Sequence, residues 1–360
     1  MTRKNFLYET ASRVAGRISP RKTLRILVMV ALLCCAGSGL NAQGTEPIGK
    51  IAPKPLFRDP VHDGAADPTL IWNRAKKEWW MFYTNRRADM PGLAKDDVSW
   101  VHGTRIGVAV SRDFGATWSY RGVAKIEYGA PDYTQWAPDI VYDHGKYHMF
   151  LVIVPGTFRD WNAARFIIHL VSSDLESWKF VSKLELGSDR VIDPSLYKMP
   201  NGNWRVWYKD EADQSFLHYA DSPDLTHWTP KGAAITDRHS EGPKVFRWRD
   251  HFWMITDPWK GLGVYRSDDL EHWTAQPDNI LATPGKIATD RSKGDHCDVV
   301  VSGERAFVYY FTEQVGADDD PKLPFSSRRT VLQVAELHEK DGVITVDRDA
   351  SARVYLRPPQ

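Results

Sequence analysis

Five acidic residues stand at the heads of five similar segments of the chain, and carboxyl groups repeated in this way can perform acid–base chemistry. Each acid opens a short apolar strand that is followed by a turn and an aromatic-rich strand; the five are Asp67, Asp139, Asp193, Glu241 and Asp298. Hairpins that cannot bury both faces alone predict sheets arranged radially about an axis. The repeat therefore predicts an all-β fold, a five-bladed β-propeller, in which the five carboxylates converge on one end of the axis.

Three of these acids have neighbours that favour a functional role. Asp67 and Asp193 are followed directly by Pro, and Glu241 by Gly-Pro, which excludes a helix and directs the chain into a strand. A charged residue that opens an apolar strand must be paired or in contact with water. Asp59 and Asp63, just upstream of the first acid, are rival candidates, but neither opens an apolar strand.

A second unit, Ser-x-Asp followed by Trp, recurs after the first four hairpins. It ends at Trp118, Trp178, Trp228 and Trp273. Ser and Asp side chains stabilise turns by bonding backbone amides. We therefore assign these acids a structural role and expect each Trp to pack between blades.

Composition and the N-terminal segment limit the class of protein. The net charge of the 360 residues is +1, which gives no electrostatic case for a nucleic-acid partner. A secretory signal is predicted over residues 1–42, because basic residues precede an apolar run over 26–36 and small or polar residues follow it up to Ala42. The run is shorter than the ~20 residues of a membrane span, so none is expected.

The predicted mature chain is one propeller catalytic domain over residues 43–360, exported to the periplasm or the extracellular space. Cys297 is its single cysteine, so an internal disulfide is excluded. Its stability must therefore come from the core, which 318 residues are enough to build, since 42 of the 360 are removed.

From about residue 57 onwards, the chain resembles the glycoside hydrolases of family 43, whose fold is a five-bladed β-propeller. The elements that carry the resemblance are Ala-Asp-Pro at Asp67, Ala-Pro-Asp at Asp139, Ile-Asp-Pro-Ser-Leu at Asp193 and Glu-Gly-Pro at Glu241. The resemblance implies that Asp67 is the general base and Glu241 the general acid. It implies that Asp193 orients the acid and tunes its pKa, and that Asp139 binds substrate or has a structural role.

Hydrolysis of a glycosidic bond requires such a set of carboxyl groups. Two of them flank the bond, ~6.5–9.5 Å apart in inverting enzymes, which leaves room for the attacking water. One must be protonated at the working pH, and a nearby carboxylate raises its pKa. The resemblance implies an inverting, exo-acting glycosidase of plant or algal oligo- or polysaccharides, with α-L-arabinofuranosides and β-xylosides as leading substrates.

Further candidates flank these elements. Trp136 precedes the Ala-Pro-Asp element and is a sugar platform or a structural residue, and His239, near Glu241, is a candidate substrate contact. By the resemblance, His296 precedes the last blade, where it often binds an axial calcium directly or through water; a buried hydrogen-bond donor is the alternative. Cys297-Asp298 departs from the small residue and Ser that are usual there.

Two other functions are compatible with the sequence. A hydrolase of agar-type oligosaccharides, similar to glycosidase family 117, would also carry a His near the acid, whereas family 32 is disfavoured because Asp67 lacks its flanking Asn residues. A secreted carbohydrate-binding propeller without turnover would keep aromatic platforms but tolerate loss of the acids. The presence of all three acids argues against the second alternative, and in every case the expected partner is a saccharide.

Overall fold

A computed structural model describes residues 48–316, 321–322 and 324–359, so the predicted secretory signal lies outside the described residues. In chain order the strands are β1 (Lys50–Ile51), β2 (Ala65–Asn73), β3 (Glu78–Asn85), β4 (Arg105–Ser111), β5 (Ser119–Val123), β6 (Lys125–Glu127), β7 (Thr134–Asp143), β8 (Lys146–Val154), β9 (Phe166–Ser172), β10 (Ser177–Lys183), β11 (Val191–Lys198), β12 (Trp204–Asp210), β13 (Phe216–Ser222), β14 (Thr229–Ile235), β15 (Glu241–Trp248), β16 (His251–Asp257), β17 (Gly263–Ser267), β18 (Thr274–Ala275), β19 (Asp295–Ser302), β20 (Arg305–Glu313), β21 (Thr330–Lys340), β22 (Val343–Val346) and β23 (Arg353–Val354).

These strands form five blades around one axis. Blade 1 is β2–β5, blade 2 is β7–β10, blade 3 is β11–β14, blade 4 is β15–β18 and blade 5 is β19–β22; β6 adds to blade 2 in parallel against β10. The first strand of each blade is innermost, since β2, β7, β11, β15 and β19 contact one another in a closed ring. The five-bladed β-propeller predicted from the repeat is confirmed.

The second strand of each blade is almost wholly buried, because neighbouring blades cover both of its faces. Strands β3 and β12 are buried at every residue, whereas the outer strands β5 and β14 are mostly exposed. A strand covered on both faces needs large apolar side chains at consecutive positions rather than in alternation. This explains the aromatic-rich second half of each repeat, from which Trp80, Trp207 and Trp253 are fully buried.

The Ser-x-Asp units lie in turns between the third and fourth strands of blades 1 to 4. In blade 2, Asp174 accepts hydrogen bonds from the backbone N–H groups of Glu176 and Ser177 (2.8 and 3.0 Å). Trp178 is fully buried, and its indole N–H donates to the Leu175 carbonyl (3.2 Å). These acids are turn formers, in agreement with the structural role assigned to them.

Each innermost strand has a β-bulge near its start. In blades 1 to 4 the bulge contains Asp67, Ala137, Asp193 and Gly242, each with a positive φ (49°, 39°, 57° and 54°) and each directly before Pro. In blade 5 the irregularity lies at His296. A bulge redirects a side chain that would otherwise follow the pleat of the strand. The bulges thereby turn the Asp67 and Asp193 carboxylates towards the end of the axis.

The five head acids do not occupy equivalent positions in their strands, although the repeat predicts that they converge on one end of the axis. Glu241 precedes the bulge position that Asp67 and Asp193 occupy, and Gly242 stands in that position instead. A Cβ atom at Gly242 would lie 2.7 Å from Cγ of His296. Only glycine leaves room for the imidazole at this bulge position. The acid of blade 4, Glu241, stands one residue before it in the sequence.

The segment before blade 1 closes the ring against the end of the chain. Strand β1 pairs with β23, and Phe57 exchanges two backbone hydrogen bonds with Leu332 of β21 (3.2 and 2.9 Å). The backbone N–H of Thr330 also donates to the Asp63 carbonyl (3.1 Å). The segment before blade 1 is therefore hydrogen-bonded to blade 5 and to the strand that follows it.

The helical segments of the described chain are three-residue 3₁₀ turns, at Ser99–Val101, Ala288–Asp290 and Ser326–Arg328. No helix in this part of the chain has the length and apolar character needed to cross a membrane.

Candidate active site

A cavity of about 270 Å³ lies where the innermost strands begin. Its lining includes the three predicted catalytic residues Asp67, Asp193 and Glu241, together with Trp136 and His296. Ligand pockets usually measure about 300–1,000 Å³, so this one suits a small ligand of one or two rings. The structure thus brings together five of the seven site residues predicted from the sequence.

Asp67 and His296 form the centre of the cavity floor. The Asp67 Oδ1 atom lies 3.4 Å from the Arg86 guanidinium and 3.5 Å from Nδ1 of His296, which is also 3.9 Å from Oδ2 of Asp193. Burial disfavours a charged imidazole, but the carboxylates of Asp193, Asp67 and Glu241 outweigh it and raise the pKa of His296. His296 therefore lies between the two aspartates, which favour its protonated form.

Asp193 is the carboxyl group of the catalytic three whose pKa is raised. Burial raises the pKa of Asp193 to about 7, with a further contribution from the charges of Glu241 and Asp67, against the opposing effect of His296. The backbone N–H of Gly242 donates to its Oδ2 atom (3.1 Å). With no full cation within hydrogen-bond distance, this carboxyl retains a proton close to neutral pH.

Glu241 has the opposite character, because both of its oxygens accept hydrogen bonds. The Lys209 Nζ atom donates to Oε2 (2.8 Å), and the Trp259 indole N–H donates to Oε1 (3.0 Å). Burial opposes ionisation, but Lys209 and then His296 outweigh it and hold the pKa of Glu241 below its ordinary value. The net direction is opposite to the one that repulsion from Asp193 alone would give, because Glu241 has the ammonium partner Lys209.

A buried ionic network supports Lys209 from behind. Its Nζ atom is 3.4 Å from Glu211, whose other oxygen contacts Arg165 (2.9 Å) and Arg190 (3.5 Å). Lys209 and Arg165 are almost fully buried, and both line the cavity with Glu211. These charges fix the position of Lys209 relative to Glu241.

Sequence reasoning missed Arg86, Lys209, Glu211 and Asp257. All four stand at or just beyond the ends of second strands, which lie beside the heads of the first strands in an antiparallel hairpin. A charged residue at the end of an aromatic-rich second strand was therefore a usable signal for the same site.

The tryptophans divide into core residues and cavity residues. Of the fifteen in the sequence, all of them described, only Trp161 (51%) and Trp259 (41%) are exposed, and both line the cavity. Trp136 also lines it but is nearly buried, and its indole N–H donates to the Val101 carbonyl (2.6 Å). The two exposed rings are the surfaces that a sugar face could stack on.

Two predicted substrate contacts do not lie among the residues that line the cavity. Asp139 is buried, and it accepts hydrogen bonds from the Leu196 backbone N–H (2.7 Å) and from Lys244 (2.9 Å). It therefore matches the structural alternative given for it. His239 is exposed; its Nδ1 atom contacts the Gln214 carbonyl, and its ring stacks on another aromatic ring 5.7 Å away.

The two rival candidates for the base, Asp59 and Asp63, make their contacts outside the cavity. Asp59 accepts hydrogen bonds from the backbone N–H of His62 (2.7 Å) and the hydroxyl of Tyr83 (2.5 Å). Asp63 pairs with Arg58 and, at 3.0 Å, with Arg329. Neither aspartate lines the cavity, so Asp67 is the carboxylate placed for base chemistry.

Further along the axis, one ion-paired cluster joins all five blades. Lys244 of blade 4 donates to Asp139 of blade 2 and contacts Asp298 of blade 5, each at 2.9 Å. Asp139 also accepts from the backbone N–H of Leu196 in blade 3, and Asp298 from that of Leu70 in blade 1, each at 2.7 Å. Burial disfavours the ammonium, but Asp139 and Asp298 outweigh it and raise the pKa of Lys244.

The axis does not fit the calcium ion implied by the resemblance. Nδ1 of His296 faces the carboxyl groups of Asp67 (3.5 Å) and Asp193 (3.9 Å), which raise its pKa, whereas a metal ligand must be neutral imidazole. The next carboxylates along the axis, Asp139 and Asp298, already neutralise Lys244. Among the described residues, no group of three or more His, Cys, Asp or Glu side chains is arranged to hold a metal ion. Asp298, the departure noted in the sequence, supplies one of the two charges that Lys244 requires.

No protein-family model matches the sequence, and no curated protein matches it. Solved structures share the fold. A thermostable family-43 glycoside hydrolase has a TM-score of 0.60 at 17% identity, over 84% of this chain and 99% of that chain. A family-43 β-xylosidase/α-arabinofuranosidase from a compost microbial metagenome, in a calcium-free form with xylotriose, gives 0.60 at 16%, over 82% and 97%. A family-43 β-1,3-galactosidase gives 0.61 at 16%, over 84% and 100%. The fold that the sequence resemblance implied is thus the fold of these enzymes.

Proposed function

We propose that the protein is an exported glycoside hydrolase that releases terminal sugars from plant or algal oligo- or polysaccharides. The observation that carries the proposal is the meeting of Asp67, Asp193 and Glu241 in one cavity at the end of the propeller axis. The family-43 glycosidases with the same fold support it. The secretory signal predicted over residues 1–42 supports export.

The proposed reaction is a single displacement with inversion at the anomeric carbon. Asp67 takes a proton from water as the water oxygen attacks that carbon, and Glu241 gives its proton to the departing glycosidic oxygen. One water is consumed, and the two carboxyl groups return to their starting states by exchanging protons with solvent. His296 and Arg86 hold Asp67 as the base, and Lys209 controls the pH at which Glu241 carries its proton.

The shape of the cavity supports removal of single terminal residues. A volume of about 270 Å³ suits one or two sugar rings, and the exposed faces of Trp161 and Trp259 suit stacking on a sugar. Three of the similar structures contain xylotriose or xylose. Terminal β-xylosides and α-L-arabinofuranosides are therefore the proposed substrates.

The test is hydrolysis by the purified chain of 4-nitrophenyl glycosides and of xylo-, arabino- and neoagaro-oligosaccharides, beside Glu241→Gln. We expect turnover of a xylo- or arabino-oligosaccharide, with inversion detected by NMR. Loss of the acid should lower kcat/KM on the oligosaccharide by about 10²–10⁴-fold, whereas an activated aryl leaving group needs the acid less. The exposed Glu127→Gln is the matched control.

The other outcomes would change either the assignment of the acid or the function. Turnover that Glu241→Gln leaves intact would remove Glu241 as the acid. Turnover confined to neoagaro-oligosaccharides would favour the agar-type function. Saturable saccharide binding without any turnover would favour the carbohydrate-binding propeller.

A further inference from the structure

Trp259 combines three unusual properties at the edge of the cavity. It is one of the two exposed tryptophans, and its φ of 59° is in the left-handed region that large side chains avoid. Its indole N–H donates to Oε1 of Glu241 (3.0 Å). A strained, exposed aromatic residue with its polar atom on the proposed acid points to a function rather than to packing.

The strained backbone is held by the elements around it. The backbone N–H of Trp259 donates to Oδ1 of Asp257 (2.7 Å), the last residue of β16. The other oxygen of Asp257 accepts from the backbone N–H of His296 (2.9 Å). The segment that presents the indole is thus fixed through Asp257 to β16 and to His296 of β19, which lies in the cavity floor.

The hydrogen bonds of Glu241 conflict with its proposed role as an acid. An ammonium and an indole N–H both donate, and such donors bind an ionised carboxylate more strongly than a neutral carboxylic acid. Withdrawal of either donor therefore raises the pKa of Glu241 and favours the protonated form that an acid needs. Lys209 is buried and also bound to Glu211, whereas Trp259 has a solvent-facing ring. Trp259 is therefore the donor that can leave.

We propose that Trp259 is the platform for the leaving-group sugar, and that its indole N–H holds Glu241 as a carboxylate until that sugar binds. This inference rests on the proposed function and adds the recognition of the leaving group to it. Stacking of the sugar displaces the N–H from Oε1, and Glu241 then takes one proton from solvent and passes it to the glycosidic oxygen. Trp259 is a positioning residue that acts through Glu241.

Other charged groups act on Glu241 from each neighbouring element: Lys209, His296, Asp193, Asp257 and Arg165. Lys209 also lies over the Trp259 ring, with its Nζ atom 4.9 Å from the ring centre. Trp259→Phe keeps a ring at this place, so a change in the titration of Glu241 in that variant reports the indole N–H.

The experiment compares Trp259→Phe, which keeps a ring but removes the N–H, with Trp259→Ala, which removes both. In both variants, the alkaline limb of the kcat/KM profile should move up by about half a pH unit, because Glu241 loses a donor. In Trp259→Ala alone, KM for xylobiose should rise roughly tenfold. KM for β-D-xylopyranosyl fluoride, whose leaving group is not a sugar, should remain near wild type. If the enzyme prefers arabinofuranosides, the corresponding disaccharide and fluoride replace this pair.

Trp228→Phe is the matched control, since it also loses one indole hydrogen bond, to the Leu225 carbonyl (3.1 Å), but lies outside the cavity lining. A second readout does not depend on turnover: the ¹³C NMR titration of the Glu241 carboxyl, assigned with Glu241→Gln. An unchanged Glu241 titration in Trp259→Phe, or an equal rise in KM for disaccharide and fluoride in Trp259→Ala, would overturn the inference. Absence of turnover in wild type would instead overturn the proposed function.

Discussion

Single residues set the charge pattern of the cavity. Asp193 is buried and Glu241, in the neighbouring blade, is partly exposed; the pKa is raised for Asp193 and lowered for Glu241. The difference lies in their partners, a backbone N–H for Asp193 and the Lys209 ammonium for Glu241. The motifs that contain the acids predicted all three of them. Lys209 belongs to no repeated motif, so the charge pattern could not be predicted from the sequence.

Removal of Lys209 should widen the active pH range on its alkaline side. Lys209 lowers the pKa of Glu241, and activity that needs the protonated acid falls as the pH rises through that pKa. In Lys209→Met the pKa should rise, moving the alkaline limb of kcat/KM up by about one pH unit. The measurement is the pH profile, with the exposed Lys231→Met as control. A limb that stays in place or moves down would contradict the role given to Lys209.

Among the elements, the bulges of the inner strands determine where the acids point. The repeat, the turn residues and the aromatic second strands predicted the blades, because each depends on local sequence. The proline after Asp67 and after Asp193 indicated an extended chain, but not the positive φ of the residue before it. The displacement of Glu241 by one position depends on His296, which arrives from another blade, and local sequence carries no sign of it.

Gly242→Ala should therefore damage catalysis beyond its effect on the backbone. Both Gly242 and Gly232 have positive φ (54° and 103°), so alanine at either should cost about 1–2 kcal/mol of stability. Only at Gly242 would the new Cβ atom meet His296, whereas nothing lies within 4 Å at Gly232. We expect Gly242→Ala to lose about 10²-fold in kcat/KM and Gly232→Ala to keep it. Equal kcat/KM values in the two variants would show that the imidazole tolerates the displacement.

For the whole molecule, the axial cluster links blades that are distant in the sequence. Lys244 and its two aspartates belong to blades 2, 4 and 5, and their backbone partners to blades 1 and 3. No pattern within one repeat could reveal this arrangement, since each blade contributes a different residue type.

Loss of Lys244 should destabilise the whole propeller. Lys244→Met leaves two buried aspartates facing each other without a cation, and breaking such a buried pair costs about 3–5 kcal/mol of unfolding free energy. Adding Asp139→Asn and Asp298→Asn removes the uncompensated charge and should restore much of the loss. Urea unfolding of the single and triple variants measures both steps. If the unfolding free energy of Lys244→Met lies within about 1 kcal/mol of the wild-type value, the cluster does not stabilise the fold as proposed.

The pairing of Phe57 with Leu332 has a consequence for the order of events during synthesis. The ribosome produces the first of these residues long before the second, so the ring stays open until blade 5 has been made. Contacts between segments so far apart form late and slowly. Until then, the first and last blades expose faces that the finished ring covers, and the cavity lacks His296. A nascent or truncated chain would thus be inactive and prone to associate with other chains. Completion of the whole fold therefore depends on synthesis of the last strands.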